Sequence, residues 1–329
     1  MKREGGPVRC VAYRPGFRGA VIELWNRVFA GYRNFRPIDL AWWRRRVESP
    51  GGGEGLEPEL LRVAVVGERV VGLAHGGVWQ GEFLERLRPD LRAERLGYLA
   101  AIAVDPLMRR RGIGSALLES LSGVLEGRFG APRIVADGRG YNPFYGNLHA
   151  PLPPPWGTPE GPAIPQEEVG TRAFFRGLGF REEATAWTFA LSPGEALPLS
   201  VDPGIAETVE EQDYQPLLGT AEGISFPVRN RSRTWVAVRG ELQRGALIAY
   251  PLSAPGARPE RWGIYSLEVD EASRAHGLGR LLLGALLGRL RERGVAELEV
   301  LVLPYESPAA LRLYQRAGFR KAAAWVVPA

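Results

Sequence analysis

One short pattern occurs twice in this chain. Arg109-Arg110-Arg111-Gly112-Ile113-Gly114-Ser115 and Arg274-Ala275-His276-Gly277-Leu278-Gly279-Arg280 both read Arg-x-x-Gly-x-Gly, with a small or basic residue next. Each follows an apolar run ending in Val-Asp, Ile102-Ala103-Val104-Asp105 and Leu267-Glu268-Val269-Asp270, and each opens a Leu-rich stretch of helical period. A helix start leaves backbone N–H groups unpaired and carries partial positive charge. Glycines there let a phosphate approach the main chain, and a flanking arginine adds a charge-assisted bond. The pattern therefore predicts a site for a phosphorylated ligand, and its recurrence predicts two related domains. A helix start that merely uses glycine is a fair reading of one copy, but it does not explain the same context twice. No Lys-Ser or Lys-Thr follows the glycines, so neither loop is a P-loop, and the three-glycine dinucleotide fingerprint is also missing.

The repeat extends downstream. Phe174-Phe175-Arg176-Gly177-Leu178-Gly179-Phe180 aligns with Leu313-Tyr314-Gln315-Arg316-Ala317-Gly318-Phe319. The loops lie 165 residues apart but the Gly-Phe pairs only 139, so the first copy holds 26 extra residues. These fall in residues 141–168, whose Pro, Gly and aromatic content (Pro151-Leu152-Pro153-Pro154-Pro155-Trp156) forbids helix and central strand and predicts a long loop. The boundary is expected after the strand Ala186–Leu191, giving domains 1–192 and 193–329. In the first, Val8–Tyr13 reads as a strand, Phe17–Tyr32 as an amphipathic helix, and Leu61–Val66 with Val70–Val78 as a hairpin about Gly67-Glu68. Strand Leu99–Val104, helix Gly112–Glu126 and strand Arg133–Ala136 follow. The second repeats this order with Thr234–Val238, Ala246–Tyr250, Ile264–Val269, helix Gly277–Arg293, strand Val295–Leu303, helix Pro308–Ala317 and strand Ala322–Val327. Strands first and alternation later predict an α/β (α+β) fold, each domain a mixed sheet flanked by helices.

Composition narrows the function. No apolar run is long enough to cross a bilayer, and Met1–Pro7 has no secretory apolar segment. One cysteine, Cys10, allows no internal disulfide, and its strand setting suggests a small apolar residue rather than a nucleophile. Three scattered histidines and no carboxylate cluster of ligand spacing predict no metal site. The reading is a metal-free cytoplasmic protein. Its net charge of +5 comes from arginines interspersed with acids, except at the glycine loops. That pattern suits a compact polyphosphate better than a nucleic-acid duplex.

Val-Asp-x-x-x-Arg-x-x-Gly-x-Gly before a Leu-rich helix resembles motif A of the GCN5-related N-acetyltransferases (GNATs). Ser307-x-x-Ala310-x-x-Leu313-Tyr314-x-x-x-Gly318-Phe319 is similar to motif B of the same family, usually written with Asn first. The resemblance covers nearly the whole chain as a tandem and says little about substrate. It implies that acetyl-CoA, or another acyl-CoA, is bound. Its pyrophosphate contacts would come from Arg274, Ala275, His276, Gly277, Leu278, Gly279 and Arg280, and in the first copy from Arg109, Arg110, Arg111, Gly112, Ile113, Gly114 and Ser115. It assigns Leu267 and Val269, or Ile102 and Val104, to the acetyl and pantetheine portion. Tyr314 stands where the family often places a general acid for the departing thiolate, and a phenol is protonated at neutral pH. An aromatic on a buried helix face is the competing reading of Tyr314.

The copies differ. The first has Phe175 at the position of Tyr314, and phenylalanine cannot transfer a proton. Tyr141, Tyr145 and His149 in its long loop are candidates to substitute. The second copy has Ser307 and Pro308, which suit a helix cap and first turn. Glu268, beside the acetyl position, is the candidate base, with Tyr265 nearby and Glu306 as a weaker second; a salt-bridged strand carboxylate is the alternative. Trp42-Trp43 in a basic helical stretch reads as core with snorkelling arginines. Glu82, Glu85 and Asp90 border a short segment that would face a cationic substrate or simply solvent. The expected function is direct acetyl transfer to an amine of a small-molecule or peptide acceptor, catalysed in the C-terminal domain. A non-catalytic acyl-CoA-binding or regulatory protein on degenerate domains is the alternative, and nucleic acid and membrane are not expected partners.

Overall fold

The computed structural model describes residues 6–49, 57–79, 95–136, 145, 155–159, 163–201, 204–213, 233–239, 242–253, 256–303, 305 and 308–328. The first half contains β1 (Arg9–Ala12), α1 (Arg18–Phe29), the short α2 (Leu40–Trp43), β2 (Leu61–Val66), β3 (Arg69–Trp79), β4 (Leu96–Val104), α3 (Ile113–Phe129) and β5 (Arg133–Val135). Then come β6 (Ile164–Pro165), α4 (Val169–Gly177) and β7 (Glu182–Leu191). The second half contains β8 (Thr208–Asp213), β9 (Arg233–Arg239), β10 (Leu242–Pro251), β11 (Arg261–Val269), α5 (Leu278–Glu292), β12 (Glu297–Val302), α6 (Pro308–Arg316) and β13 (Arg320–Pro328).

Local chemistry accounts for the main elements. α1 buries Val21, Leu24, Trp25, Val28 and Phe29, one stripe at helical spacing. α3 and α5 bury Leu117, Leu118, Leu121 and Leu125, and Leu282, Leu283, Leu286, Leu287 and Leu290, in the same way. Gly130 (φ +63°) ends α3 with its N–H on the Glu126 carbonyl and Ala131 reaching back to Leu125. In the first sheet, α1 covers one face and α3 the other, and β4 is buried on both sides.

Among the described residues the first sheet has the order β1-β2-β3-β4-β5 and the second β6-β13-β7-β12-β11-β10-β9-β8. The only parallel neighbours among them are β4 with β5 and β11 with β12. The fold is thus a pair of mixed, mostly antiparallel sheets flanked by helices. β7 precedes residue 192, yet it hydrogen-bonds between β12 and β13 in the second sheet. Its Trp187, Phe189 and Leu191 pack in the second core, and Thr188 Oγ1 accepts a bond from Trp325 Nε1 (2.7 Å). The polar strand β8 and the two-residue β6 had no sequence signal; both sit at the sheet's edges, where no apolar alternation is required.

Two irregularities recur at matching places. Ala100 is an extra residue on β4, opposite the step from His75 to Gly76, and Tyr265 is the extra residue on β11, opposite Ile248 to Ala249. Parallel pairing stops at Tyr98–Val135 in one half and at Ile264–Val300 in the other. Those are the last β4–β5 and β11–β12 ladder pairs among the described residues.

The proline-rich insertion joins the halves. Pro155 and Gly157 bond to Arg36 and Arg33 through their backbones, and Asn34 Nδ2 donates to the Gly157 carbonyl (2.9 Å). Pro159 packs on Gly263 of β11 so closely that a Cβ on residue 263 would come within 2.9 Å of it. Residues 155–159 of the insertion are therefore wedged between the halves, and β6 lies at a sheet edge.

Candidate active site

The two glycine loops have the same backbone. Arg110 (φ +63°) and Gly112 (φ +78°) are left-handed in the first, and Ala275 (φ +65°) and Gly277 (φ +91°) in the second. A left-handed arginine or alanine costs about 1–2 kcal/mol, so conservation of the strain between halves marks a shape set by its surroundings. Arg109 Nε donates to the Val104 carbonyl (3.3 Å) and Arg274 Nε to the Val269 carbonyl (3.2 Å), folding each arginine back over its strand. Asp105 is fully buried and accepts from Arg69 (2.6 Å), Arg27 (3.2 Å) and the Leu107 N–H (3.0 Å). Burial alone would raise its pKa, but these donors outweigh it and hold the carboxyl below its ordinary range. Asp270 makes the looser equivalent with Arg244 (3.2 Å).

The next helix turn closes onto the second glycine. A Cβ on residue 114 would lie 3.0 Å from the Phe174 ring, and one on residue 279 would lie 3.4 Å from Leu313. Phe174 and Leu313 hold aligned positions on α4 and α6, so each loop is roofed by the same helix. The first glycines differ. Gly112 has nothing within 4 Å of the place a Cβ would take, whereas Arg280 (3.0 Å) and Ile205 (3.2 Å) lie against Gly277. The first loop is open and the second is partly covered by Arg280 and Ile205.

In the first half the open loop leads into a cleft of about 640 Å³. Of the residues expected there, Ile102, Val104, Arg109, Arg110, Gly112, Ile113, Gly114 and Ser115 line it; Arg111 does not. Phe175 also lines it, buried against Phe174 and Phe180. The sequence reading missed Tyr32, Trp156 and Glu168, which line the same cleft from α1's exit and the insertion. Trp156 stacks on Phe29 (centroids 4.7 Å apart) and meets Tyr32 edge-on. Burial, then the adjacent Glu168 carboxylate, pushes the Tyr32 hydroxyl pKa up. No local sequence signal marks these three; the fold brings them together.

Tyr145 does not reach the cleft. It is fully buried, with its hydroxyl 2.9 Å from His75 Nδ1 and its ring stacked on Trp25. It belongs to the first-half core. Burial drives the His75 pKa down to about 3, so this pair is neutral. Trp43 is core as expected, but Arg46 is buried rather than snorkelling. Cys10 is half-buried and burial raises its thiol pKa, which opposes a nucleophilic role. Tyr141, His149, Glu82, Glu85, Asp90, Glu306 and Ser307 lie outside the described residues.

In the second half Leu267 and Val269 pack with the core, Leu267 against the α6–Gly279 contact. Glu268 is half-buried opposite Ala246, on the other face of β11, and accepts a long hydrogen bond from Ser266 Oγ (3.5 Å). Burial raises its pKa, partly offset by Ser266 and Arg274. Tyr314 is buried with its ring edge-on to Phe319, and burial alone raises its pKa. Both readings of Tyr314, acid and packing aromatic, therefore describe one residue in one place. No group of three potential metal ligands occurs among the described residues, and no helix there is long and apolar enough to cross a membrane.

Comparison with known proteins supplies the family. The sequence matches the acetyltransferase (GNAT) family over residues 20–148 and 205–319. The chain belongs to that family. It is 30% identical over 239 residues to a mycothiol acetyltransferase of Sanguibacter keddieii, covering 68% of this chain and 71% of that protein. It is 25% identical over 304 residues to one of Gordonia bronchialis, covering 85% and 88%. The fold is shared with a tandem GNAT protein from the clavulanic acid biosynthesis pathway (TM-score 0.64, 17% identity, 98% of each chain). It is shared also with a GCN5-related N-acetyltransferase from Sphaerobacter thermophilus (TM-score 0.59, 15% identity, 98% and 94%). Members of this family use acetyl-CoA, and the chain is an acyltransferase. The open N–H groups at Gly112–Ser115, with space at Gly112, fit a pyrophosphate in the first half.

Proposed function

We propose that this protein moves an acetyl group directly from acetyl-CoA to an amine of a small polar acceptor, with transfer in the second half and acyl-CoA binding in both. One observation carries the choice of half. The two halves share the loop and the roofing helix, but the second has a tyrosine, Tyr314, where the first has Phe175, and a phenol can donate a proton. The similarity to mycothiol acetyltransferases supports a small-molecule acceptor.

In this mechanism the acceptor nitrogen attacks the thioester carbonyl, a C–N bond forms and the C–S bond breaks. Glu268 takes the proton lost by the amine; its burial makes it a stronger base than a solvated carboxylate. Tyr314, kept protonated by burial, gives its proton to the leaving sulfur. The backbone loops Arg109–Ser115 and Arg274–Arg280 hold the pyrophosphate, and Ile102 and Val104, or Leu267 and Val269, border the pantetheine.

Tyr314→Phe tests it. The hydroxyl has no hydrogen bond to a described residue, so its removal should change stability by less than about 1 kcal/mol. Loss of a general acid should lower turnover about 10²–10⁴-fold, read as CoA release, with acetyl-CoA affinity nearly unchanged. Unchanged turnover removes Tyr314 from the mechanism. Arg109→Ala and Arg274→Ala should each weaken acetyl-CoA binding to their own half; if neither does, the loop assignment is wrong.

A further inference from the structure

The repeat supplies an internal comparison for the cleft of the first half. At the loop offset of 165 residues, Tyr265 and Glu268 of β11 align with Ala100 and Ala103 of β4. Strand pairing agrees, since Ala100 and Tyr265 are the extra residues of their two strands. At the Gly-Phe offset of 139 residues, Tyr314 aligns with Phe175. Ala100, Ala103 and Phe175 all line the first cleft. Each exchange removes a polar group, and two of them also put alanine in place of a much larger side chain. We propose that the first cleft holds an acyl-CoA whose acyl group is a straight hydrocarbon chain longer than acetyl, lodged among Ala100, Phe29 and Trp156. This rests on the reading of Arg109–Ser115 as an acyl-CoA loop and extends it to the acyl group.

The wall at these positions is hydrocarbon. Ala100 and Ala103 belong to one buried cluster with Val28, Phe29 and Trp156, on the α1 side of the sheet. Trp156 stacks on Phe29 with centroids 4.7 Å apart. Ala163 and Val326, both buried, reach the cleft from across the seam between the halves. Hydrocarbon surface moved from water onto such a wall gains affinity, whereas a solvated polar group loses it.

The polar groups of the cleft are engaged with one another. The Tyr32 hydroxyl donates to Glu168, and the charge of Arg109 acts on the same hydroxyl. Thr171 Oγ1 also donates to Glu168 (3.1 Å). The carboxylate, the phenol and the guanidinium therefore offset each other at the loop side and leave no net charge to recruit an ion onto the alanine wall. Trp156 Nε1 is buried without a partner among the described residues, and as a donor it cannot serve an ammonium.

The probes are acetyl-CoA and hexanoyl-CoA, titrated calorimetrically into the full chain carrying Arg274→Ala, so that the first half is read. Hexanoyl-CoA should bind at least about thirtyfold more tightly, from about fourfold for each buried methylene, and with a more negative heat-capacity change. Ala100→Tyr, which restores the residue of the second half, should cut that ratio to below about threefold while acetyl-CoA affinity stays nearly unaltered. Ala163→Leu adds bulk to the cleft at a second place and should lower the ratio in the same way, which keeps the test decisive if Ala100→Tyr does not fold. Equal affinity for the two thioesters, or a ratio that no folded wall variant lowers, would overturn the chain assignment and leave the acyl-CoA loop standing. A hexanoyl-CoA preference that survives Arg109→Ala but is lost in Arg274→Ala would place the chain in the second half and overturn it too. Failure of either thioester to bind the first half would overturn both this inference and the loop reading beneath it.

Discussion

Glu299→Ala tests the seam most directly. The Glu299 carboxylate is fully buried on β12 and joins first-half donors, Arg33 Nη2 (2.9 Å) and Asn34 Nδ2 (3.0 Å), to Arg261 of the second half. Removing one partner of a buried ion pair costs about 3–5 kcal/mol, because the opposite charge stays behind without compensation. Here both guanidinium groups keep Glu297, at 3.0 Å from Arg33 and 2.7 Å from Arg261, and that carboxylate is one-third exposed. The loss should thus fall near the lower limit, about 3 kcal/mol, or roughly a hundredfold in the folding equilibrium. Asn34 loses one of its two acceptors, a smaller addition. Urea denaturation followed by tryptophan fluorescence and by circular dichroism measures this, with coincident transitions as the check on two-state behaviour. The cycle with Arg33→Ala should show coupling above about 1 kcal/mol. A Glu299→Ala variant within about 0.5 kcal/mol of the parent, or strictly additive single changes, would refute the seam as a buried ionic lock.

Gly114→Ala should separate binding from folding. Alanine gains about 1 kcal/mol of helix propensity while its Cβ crowds the Phe174 ring at 3.0 Å, so stability should change little but acyl-CoA affinity in the first half should drop severalfold. Gly279→Ala, with Leu313 at 3.4 Å, should leave binding in the second half nearly unaltered, and equal effects in both halves would contradict the packing argument. Asp105 has a depressed folded-state pKa, so its contribution is present above the ordinary carboxylate pKa and lost as pH falls through the lower folded value. Asp105→Asn should therefore flatten the acid limb of stability below the ordinary aspartate pKa of about 3.9, seen in melting temperature against pH. An unchanged acid limb would remove that ion pair as its source.

The doubled Arg-x-x-Gly-x-Gly loop, the family and most element positions were legible in the chain because they rest on local physics. Helical stripes, glycine at left-handed positions and a basic helix start are properties of a few adjacent residues. Even the shared left-handed positions Arg110 and Ala275 follow from the repeat, although nothing in their chemistry announces the strain. Other features depended on which distant segments meet. β12 alternates Glu297 and Glu299 with Leu298 and Val300, which by itself reads as an ordinary half-solvated strand. Only docking of the first half turns that polar face into a buried ionic seam. β7 reads as the last strand of the first domain, but strand pairing is non-local and its hydrogen bonds go to the second sheet. Tyr145 reads as a loop residue able to reach substrate, but its contacts with His75 and Trp25 make it core. The meeting of Tyr32, Trp156 and Glu168 at the first cleft was likewise settled by tertiary packing, because residues 136 apart in the chain carry no mutual signal until the sheet and the insertion bring them to one wall.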